Sequence, residues 1–220
     1  MELTSATRGI CCIVVIPENC FLMKMYSVIL TMSELLKKQF QAIISVSSEE
    51  FDYILGHFSH KKFKKHQYLV QAGDLVHYDY FVLSGCVKSY FTDESGKTHI
   101  LLFGIPDWWI TDYEAYYFQK KATVNIDCIA ETEVLCLSHI NREKLCQEFH
   151  ALEHFFRKKT NRRNVVLQNR ILTLLSSSAK ERYEQFIVDY PDLVQQLPKH
   201  LLASYLGVTR ETLSRLYHAH

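Results

Sequence analysis

The segment TRETLSR (209–215) holds charged and hydroxyl side chains at spacings that would bring them together on one side of a helix. Leu213 and Leu216 would turn inward on such a helix. The side chains left facing outward would be those of Arg210, Glu211, Ser214 and Arg215. Arginine pairs with guanine through two hydrogen bonds, glutamate accepts from the amino group of cytosine, and serine contacts base edges or phosphates. These residue types suit a DNA major groove, and a solvated helix face is the alternative.

The element that would position these side chains is a compact pair of helices between Lys199 and His218. Ala203 is small enough to let a second helix approach, and Gly207 supplies the unusual backbone of a tight turn. Thr209 can cap the second helix. Apolar residues fall where they would bury the seam between the helices, namely at Leu202, Val208, Leu213 and Leu216. The pattern predicts a helix-turn-helix, with an ordinary pair of antiparallel helices as the alternative.

A β-rich region precedes these helices. Between Phe63 and Leu137 the chain consists of short apolar runs such as YFVL and THILLF, separated by turn sequences such as AGD and DESGK. Strands at intervals of about ten residues are typical of a sandwich or a barrel-like roll. Upstream, the segment 47–58 begins with Ser47 and Glu50 in capping-box spacing, which predicts a short amphipathic helix.

A long helical pattern connects the β region to the C-terminal helices. Its first apolar residues, at spacings of four, three and four, are Leu145, Phe149, Leu152 and Phe156. Such a stripe must be buried, either against the β domain of the same chain or against a second copy in a two-fold dimer. A run of three serines then ends the helix or leaves a hinge before one more amphipathic helix.

Positive charge is concentrated towards the C-terminus. Residues 1–138 contain 12 Lys and Arg against 16 Asp and Glu, whereas residues 139–220 contain 13 against 8. A basic region of this kind fits a polyanionic partner or a solvated face.

The seven cysteines show no C-x-x-C spacing. Their arrangement argues against a disulfide framework or a zinc site and fits a reducing cytoplasm.

The first 31 residues form a separate extension. Two apolar runs, at 10–16 and 20–30, are divided by a Pro-Glu-Asn sequence, so neither is long enough to span a bilayer. The segment also lacks the basic start and small-residue cleavage site of a signal peptide. We expect the natural chain to begin at Met32, where a helical pattern starts, and we expect no association with a membrane.

Several of these segments carry a resemblance to a known family. The TRETLSR segment, with AGD (72–74), YFVLSGCVK (80–88), DESGK (93–97) and NRILTLLSSSAKERY (169–183), resembles the cyclic-AMP receptor protein and fumarate–nitrate regulator (Crp/Fnr) family of bacterial transcription factors. The resemblance covers about residues 32–218, and it is most specific in TRETLSR.

The resemblance implies an α+β protein in four parts. After the uncertain extension 1–31, residues 32–138 would form a sensor domain, a double-stranded β-helix that is jelly-roll-like and similar to cyclic-nucleotide-binding domains. Residues 139–169 would form a long dimerisation helix, and residues 170–220 a helix-turn-helix DNA-binding domain. The partners implied are double-stranded DNA with a palindromic operator, a second copy of the chain in a homodimer, and RNA polymerase. Such a protein is a cytoplasmic regulator and not an enzyme.

The family's base-reading helix sets the expected contacts with DNA. Its pattern of Arg-Glu-Thr followed by a later Arg matches Arg210, Glu211, Thr212 and Arg215. With the neighbouring hydroxyl groups, the predicted DNA-binding residues are Thr209, Arg210, Glu211, Thr212, Ser214 and Arg215. Because the chain stops at His220, where relatives commonly continue, we expect either that DNA binding depends mainly on this helix or that the chain is truncated and binds DNA weakly.

The sensor pocket departs from the nucleotide-binding pattern of the family. Pro106 and Asp107 stand where Gly-Glu holds the ribose, and a lysine stands where an arginine pairs with the cyclic phosphate. Lysine cannot form the bidentate fork of a guanidinium, which argues against cyclic AMP as the effector. An anionic or aromatic small molecule is one alternative, and a sensor domain reduced to a fixed scaffold is another. The candidate effector-binding residues are Trp108, Trp109, Lys120, Lys121, Phe155 and Phe156.

The other cofactors of the family find little support in the sequence. Cys11, Cys12 and Cys20 do not match the cysteine spacing of an iron–sulfur cluster, and His77 beside a tyrosine in a strand pattern is a poor haem ligand. No metal site is predicted.

A cupin-type enzyme on the same β architecture would need a cluster of histidines and carboxylates, and the β-region histidines show no H-x-H spacing. The remaining functional alternative is a small-molecule-binding β-roll whose helix-turn-helix is degenerate and does not bind DNA.

Overall fold

A computed structural model describes residues 33–217 of the chain. The expectations about residues 1–31 and a start at Met32 lie outside this range. The first helix, α1, occupies 33–41, and α2 follows at Ser48–Leu55. The predicted capping box is present, because the hydroxyl oxygen of Ser47 accepts from the Glu50 amide at 3.1 Å and the Glu50 carboxylate accepts from the Ser47 amide at 2.8 Å.

Eight strands follow and confirm the predicted β-roll. They are β1 (Phe58–Phe63), β2 (Tyr68–Val70), β3 (Tyr78–Ser84), β4 (Val87–Thr92), β5 (Thr98–Gly104), β6 (Trp109–Ile110), β7 (Asn125–Cys128) and β8 (Thr132–Ser138). They form two antiparallel four-stranded sheets, in the orders β1-β8-β3-β6 and β2-β7-β4-β5. A short helix, α3 (Tyr113–Phe118), interrupts the strands between β6 and β7.

Two apolar clusters hold the roll together. The first lies between the sheets and includes the fully buried Val82, Tyr116 and Ile126. The second joins the outer face of the β1-β8-β3-β6 sheet to the helices, with Phe40 and Phe155 packed edge to face at 4.5 Å. Burial of side chains of this size contributes about 2 kcal/mol each, so the helices on this face belong to the same folded unit as the roll.

The connection to the C-terminal region is two helices, α4 (His139–Glu148) and α5 (His150–Ser176). They are separated at Phe149, whose backbone is extended at φ −126° and ψ 94°. The apolar stripe of the sequence packs within the chain at this end, because Leu145, Leu152 and Phe156 are buried in the cluster against the roll. Of the two alternatives for this stripe, these three residues are buried against the β domain of their own chain and not against a second copy.

Four further helices form the C-terminal head: α6 (Ala179–Asp189), α7 (Pro191–Gln196), α8 (Lys199–Leu206) and α9 (Arg210–Tyr217). Ser178 caps α6 through a second capping box, so the serine run ends α5 and starts α6. The core of the head is continuous with the roll, because Phe103 of β5 packs against Phe186 and Tyr205. Within residues 33–217, every helix is too short or too polar to cross a lipid bilayer.

Candidate nucleic-acid interface and sensor cavity

The C-terminal helix pair has the geometry of a helix-turn-helix. Gly207 adopts a left-handed conformation at φ 67° and ψ 32°, which only glycine adopts without steric cost. The Val208 amide donates to the Ala203 carbonyl at 3.0 Å and closes the end of α8. Ala203 is buried at the contact between α8 and α9, together with Leu202 and Leu213. The turn and small-residue contact predicted from the sequence are therefore present.

The predicted base-reading residues lie on the open side of α9. Thr209 caps the helix, since its hydroxyl oxygen accepts from the Thr212 amide at 3.2 Å. Among these residues, Thr209, Arg210, Glu211 and Arg215 are exposed, while Thr212 and Ser214 are half-buried. Arg210, Glu211, Ser214 and Arg215 thus lie on the side of α9 that faces away from the buried Leu213.

The charges on this surface are free to meet a ligand. Within the described range, neither Arg210 nor Arg215 has a carboxylate within 4.0 Å. Hydrogen bonds from its own backbone amide and from the Thr209 hydroxyl lower the pKa of the Glu211 carboxyl, and the two arginines act in the same direction. Glu211 is therefore an ionised acceptor beside two guanidinium donors.

Polar contacts that sequence reasoning missed fix the orientation of this pair. Arg182 donates from Nε to the Leu206 carbonyl at 2.8 Å, and Arg170 of α5 donates to the Tyr205 carbonyl and stacks over the Tyr205 ring at 3.7 Å. These carbonyls lie in the last turn of α8, where a helix leaves carbonyls without partners. The sequence shows both arginines only as part of a basic region, because their roles depend on the tertiary fold.

The edge of the roll provides a second attachment for the head. Strand β5 is an edge strand, so part of its backbone has no neighbouring strand to bond. The Ser204 hydroxyl donates to the Thr98 carbonyl at 2.7 Å and accepts from the Ile100 amide at 3.2 Å. One side chain of α8 therefore satisfies two backbone groups of the sheet.

A cavity of about 550 Å³ lies between α3, β6 and the middle of α5. Its aromatic lining consists of Trp108, Trp109, Tyr113, Tyr117, Phe118 and Phe156. The charged lining comes from β3, α3, α4 and α5 and from the turn before β6. The volume is in the range of small-molecule sites in proteins.

A buried ion pair forms part of the cavity wall. Arg142 donates from a guanidinium nitrogen to Asp79 at 3.2 Å, and the Tyr113 hydroxyl donates to the same carboxylate at 3.2 Å. The Arg142 guanidinium also stacks 3.9 Å from the Phe156 ring centroid. Burial raises the pKa of Asp79 to about 6, and Arg142 and Arg163 act against that rise.

The structure brings together only part of the predicted effector set. Trp108, Trp109 and Phe156 line the cavity, whereas Phe155 is fully buried in the cluster beside the roll. Lys120 and Lys121 are exposed and do not line the cavity, although Lys120 is paired at 3.6 Å with Glu114, which does. The resemblance placed the lysines at the site because they stand before Ala122, where the family has a phosphate-binding arginine, but the turn after α3 carries them to the surface.

Comparison with known proteins gives the same architecture. A family model described as a cyclic nucleotide-binding domain matches residues 60–149. Regulatory protein HlyX of Actinobacillus pleuropneumoniae is 26% identical over 168 residues, which cover 71% of this chain and 69% of HlyX. The structure of FixK2 from Bradyrhizobium japonicum superposes with a TM-score of 0.64 at 19% identity, covering 74% of this chain and 83% of FixK2.

The structure of the catabolite activator protein of Thermus thermophilus is also similar, with a TM-score of 0.51 and 23% identity over 80% of this chain and 84% of that chain. The two structural matches establish a shared fold that extends from the roll into the head. With its β-roll, connecting helices and C-terminal helix-turn-helix, the chain contains a cyclic nucleotide-binding domain and shares the fold of these regulators.

Proposed function

We propose that the chain is a transcriptional regulator that binds double-stranded DNA through α9. The names of two similar proteins, a regulatory protein and a catabolite activator, support a regulatory role. The observation that carries the proposal is the exposed face of α9, where an ionised glutamate lies beside two arginines that form no ion pair within 4.0 Å with any other described residue. These are the donors and the acceptor that read base edges in a major groove.

The regulator acts as a homodimer in this proposal. Val165, Leu172 and Leu175 on α5 are 56%, 53% and 80% exposed. Their spacings of seven and three residues put them on one side of the helix, as in a two-stranded coiled coil. A two-fold pair of α5 helices would present two copies of α9 to successive major grooves of a palindromic site. RNA polymerase in the bacterial cytoplasm is the further partner proposed.

The regulator is also proposed to work without cyclic AMP, haem or an iron–sulfur cluster. The turn that carries Pro106 and Asp107 offers a single exposed carboxylate in place of the Gly-Glu pair, and Lys121 is exposed and does not line the cavity. This pattern lacks the bidentate phosphate contact of a guanidinium. His77 is exposed on the surface before β3. Cys11, Cys12 and Cys20 lie outside the described residues.

Selection of bound genomic DNA, followed by affinity measurements on the selected site, tests the proposal. Arg210→Ala and Arg215→Ala should each weaken binding by about 1 to 3 kcal/mol at particular base positions, because each removes a base-edge donor. Arg157→Ala is the matched control, since Arg157 is exposed and belongs to α5 and not to the helix-turn-helix. Equal affinities for all four proteins would favour the alternative of a small-molecule-binding roll with a silent helix-turn-helix.

A further inference from the structure

The cavity between α3, β6 and α5 has the shape and lining of a site for a planar apolar molecule. Both tryptophans of the chain line it, together with rings from α3 and α5. The interior of the roll is a different compartment, filled by buried side chains such as Val82, Tyr116 and Ile126. A ligand in the cavity would therefore contact the outer surface of the roll and α5.

The cavity also carries an excess positive charge on the side of α5. Its lining contains four cationic side chains, Arg142, Lys159, Arg162 and Arg163, and three carboxylates, Asp79, Asp107 and Glu114. Arg142 and Asp79 satisfy each other, and Arg163 stacks 3.7 Å from the Tyr113 ring centroid.

Lys159 and Arg162 are the cations left without a close partner. In the part of the chain that the structure describes, neither side chain makes a hydrogen bond or an ion pair within 4.0 Å. Lys159 is half-buried. Burial lowers the pKa of its amine, and the opposing influence of Asp107 does not offset this. A partly desolvated ammonium beside an aromatic wall is a position where an anion would be stabilised.

We propose that this cavity binds an aromatic molecule carrying a single carboxylate, with its rings against the aromatic lining and its carboxylate at Lys159 and Arg162. The excess of one positive charge matches one negative charge and disfavours a dianion such as a phosphate monoester. The six aromatic rings of the lining favour a flat apolar body over a sugar, which separates this ligand from a nucleotide.

The same cavity is in contact with the C-terminal head. The Trp108 ring lies 6.1 Å from the ring of Tyr190, which in turn packs 5.1 Å from the Phe186 ring in the head core. A ligand against Trp108 would therefore act on the position of the head. This coupling rests on the proposed function, whereas ligand binding itself does not.

Calorimetry and tryptophan fluorescence on the purified full chain test the binding step. The probes are 4-biphenylacetate, its uncharged counterpart 2-(4-biphenylyl)ethanol, and cyclic AMP. Because both tryptophans line the cavity, a ligand there must change the fluorescence. We expect 4-biphenylacetate to bind about ten-fold more tightly than the alcohol, since only the acid pairs with the cations.

Charge variants on α5 locate the site. Lys159→Gln should weaken binding of 4-biphenylacetate about five-fold or more, and Lys159→Arg should restore most of it because the charge is retained. The matched control is Lys158→Gln, at an exposed neighbour that does not line the cavity. An intact thermal transition in each variant separates loss of the charge from loss of the fold.

Three results would overturn the proposal: no binding of 4-biphenylacetate, equal binding of the acid and the alcohol, or tighter binding of cyclic AMP than of the acid with the same dependence on Lys159. These measurements use no DNA. Failure of the ligand site therefore leaves the DNA-binding proposal standing, and failure of DNA binding leaves the ligand site standing.

Discussion

Asp79 is a carboxyl group held almost entirely out of water, with 2% of its side chain exposed. Burial is the main reason that its pKa rises to about 6, and the neighbouring Arg142 and Arg163 and the Tyr113 hydroxyl only reduce that rise. Removing one member of a buried pair usually costs more than the pair contributes. The Asp79 and Arg142 pair therefore makes the fold around the cavity sensitive to pH.

The pH dependence of stability tests this picture at a single residue. The folded state binds the Asp79 proton more tightly than the unfolded chain does, so this group's stabilising contribution is complete below about pH 4 and is lost as the pH rises through about 6. A shift of about two units corresponds to roughly 3 kcal/mol. Chemical denaturation of the wild type and of Asp79→Asn between pH 4 and pH 7.5 measures the difference.

In the Asn variant the titrating group is absent, while the other ionisable groups are unchanged. The free energy of unfolding of the wild type should therefore fall relative to the variant as the pH rises across this interval. Parallel curves for the two proteins would mean that Asp79 titrates in the folded state as it does in the unfolded chain.

At the scale of elements, the turn between β3 and β4 depends on one glycine. Gly85 has φ +87°, and a Cβ on it would collide with the carbonyl oxygen of Glu131 and the backbone of Thr132. Gly96, in the turn between β4 and β5, has a similar φ of +82° but no atom within 4 Å of such a Cβ. A side chain at either position would have to adopt the unfavourable left-handed backbone conformation. Only at Gly85 would it also collide with neighbouring atoms.

This pair gives a matched test by substitution. Gly96→Ala should lower the free energy of unfolding by about 1 kcal/mol, because the left-handed conformation is unfavourable for alanine. Gly85→Ala should cost about 3 kcal/mol or more, since the backbone of β8 must also move. Urea denaturation at one pH measures both. If both variants lost the same free energy of unfolding, the backbone of β8 would be able to move away from the new side chain at residue 85 without a cost in stability.

Elements with local signals were predictable from the sequence, and the break at Phe149 was not. Glycine and capping residues predict the turns of the roll, the start of α2 and the helix-turn-helix, because they favour particular backbone conformations and local hydrogen bonds. Phe149 carries no such signal, because it is neither proline nor glycine. Its ring packs 5.8 Å from that of Tyr53 on α2, so a tertiary contact accompanies the break.

The two candidate sites differ in the same way. The candidate DNA-binding face comes from one short helix, so the periodicity of the sequence was enough to predict which side chains of α9 lie away from the buried Leu213. The cavity joins Asp79, Trp109, Arg142 and Lys159 from four separate elements. The sequence showed the aromatic run but gave no signal that Asp79 and Arg142 would meet there.

At the scale of the whole molecule, the exposed apolar side of α5 is the feature that a second copy would bury. Val165 and Leu172 are seven residues apart and each more than half exposed, whereas the apolar residues earlier in the connection, such as Leu152, are buried in the chain itself. The apolar pattern of the connection therefore has two roles along its length. The first part fixes the helix to the roll, and the second is available for a two-fold contact.

Introducing charge on that side tests the dimer directly. Leu172→Glu would place two like charges at the centre of the contact and desolvate both, so the variant should be monomeric at concentrations where the wild type is dimeric. Sedimentation equilibrium measures the association constant. Ile140→Glu is the matched control, because Ile140 is 79% exposed on α4 and does not lie on α5.

Since a single head contacts only one half-site, the monomeric variant should also lose affinity for a palindromic operator while retaining weak binding to a half-site. A Leu172→Glu protein that remains dimeric would show that the two copies associate through another surface.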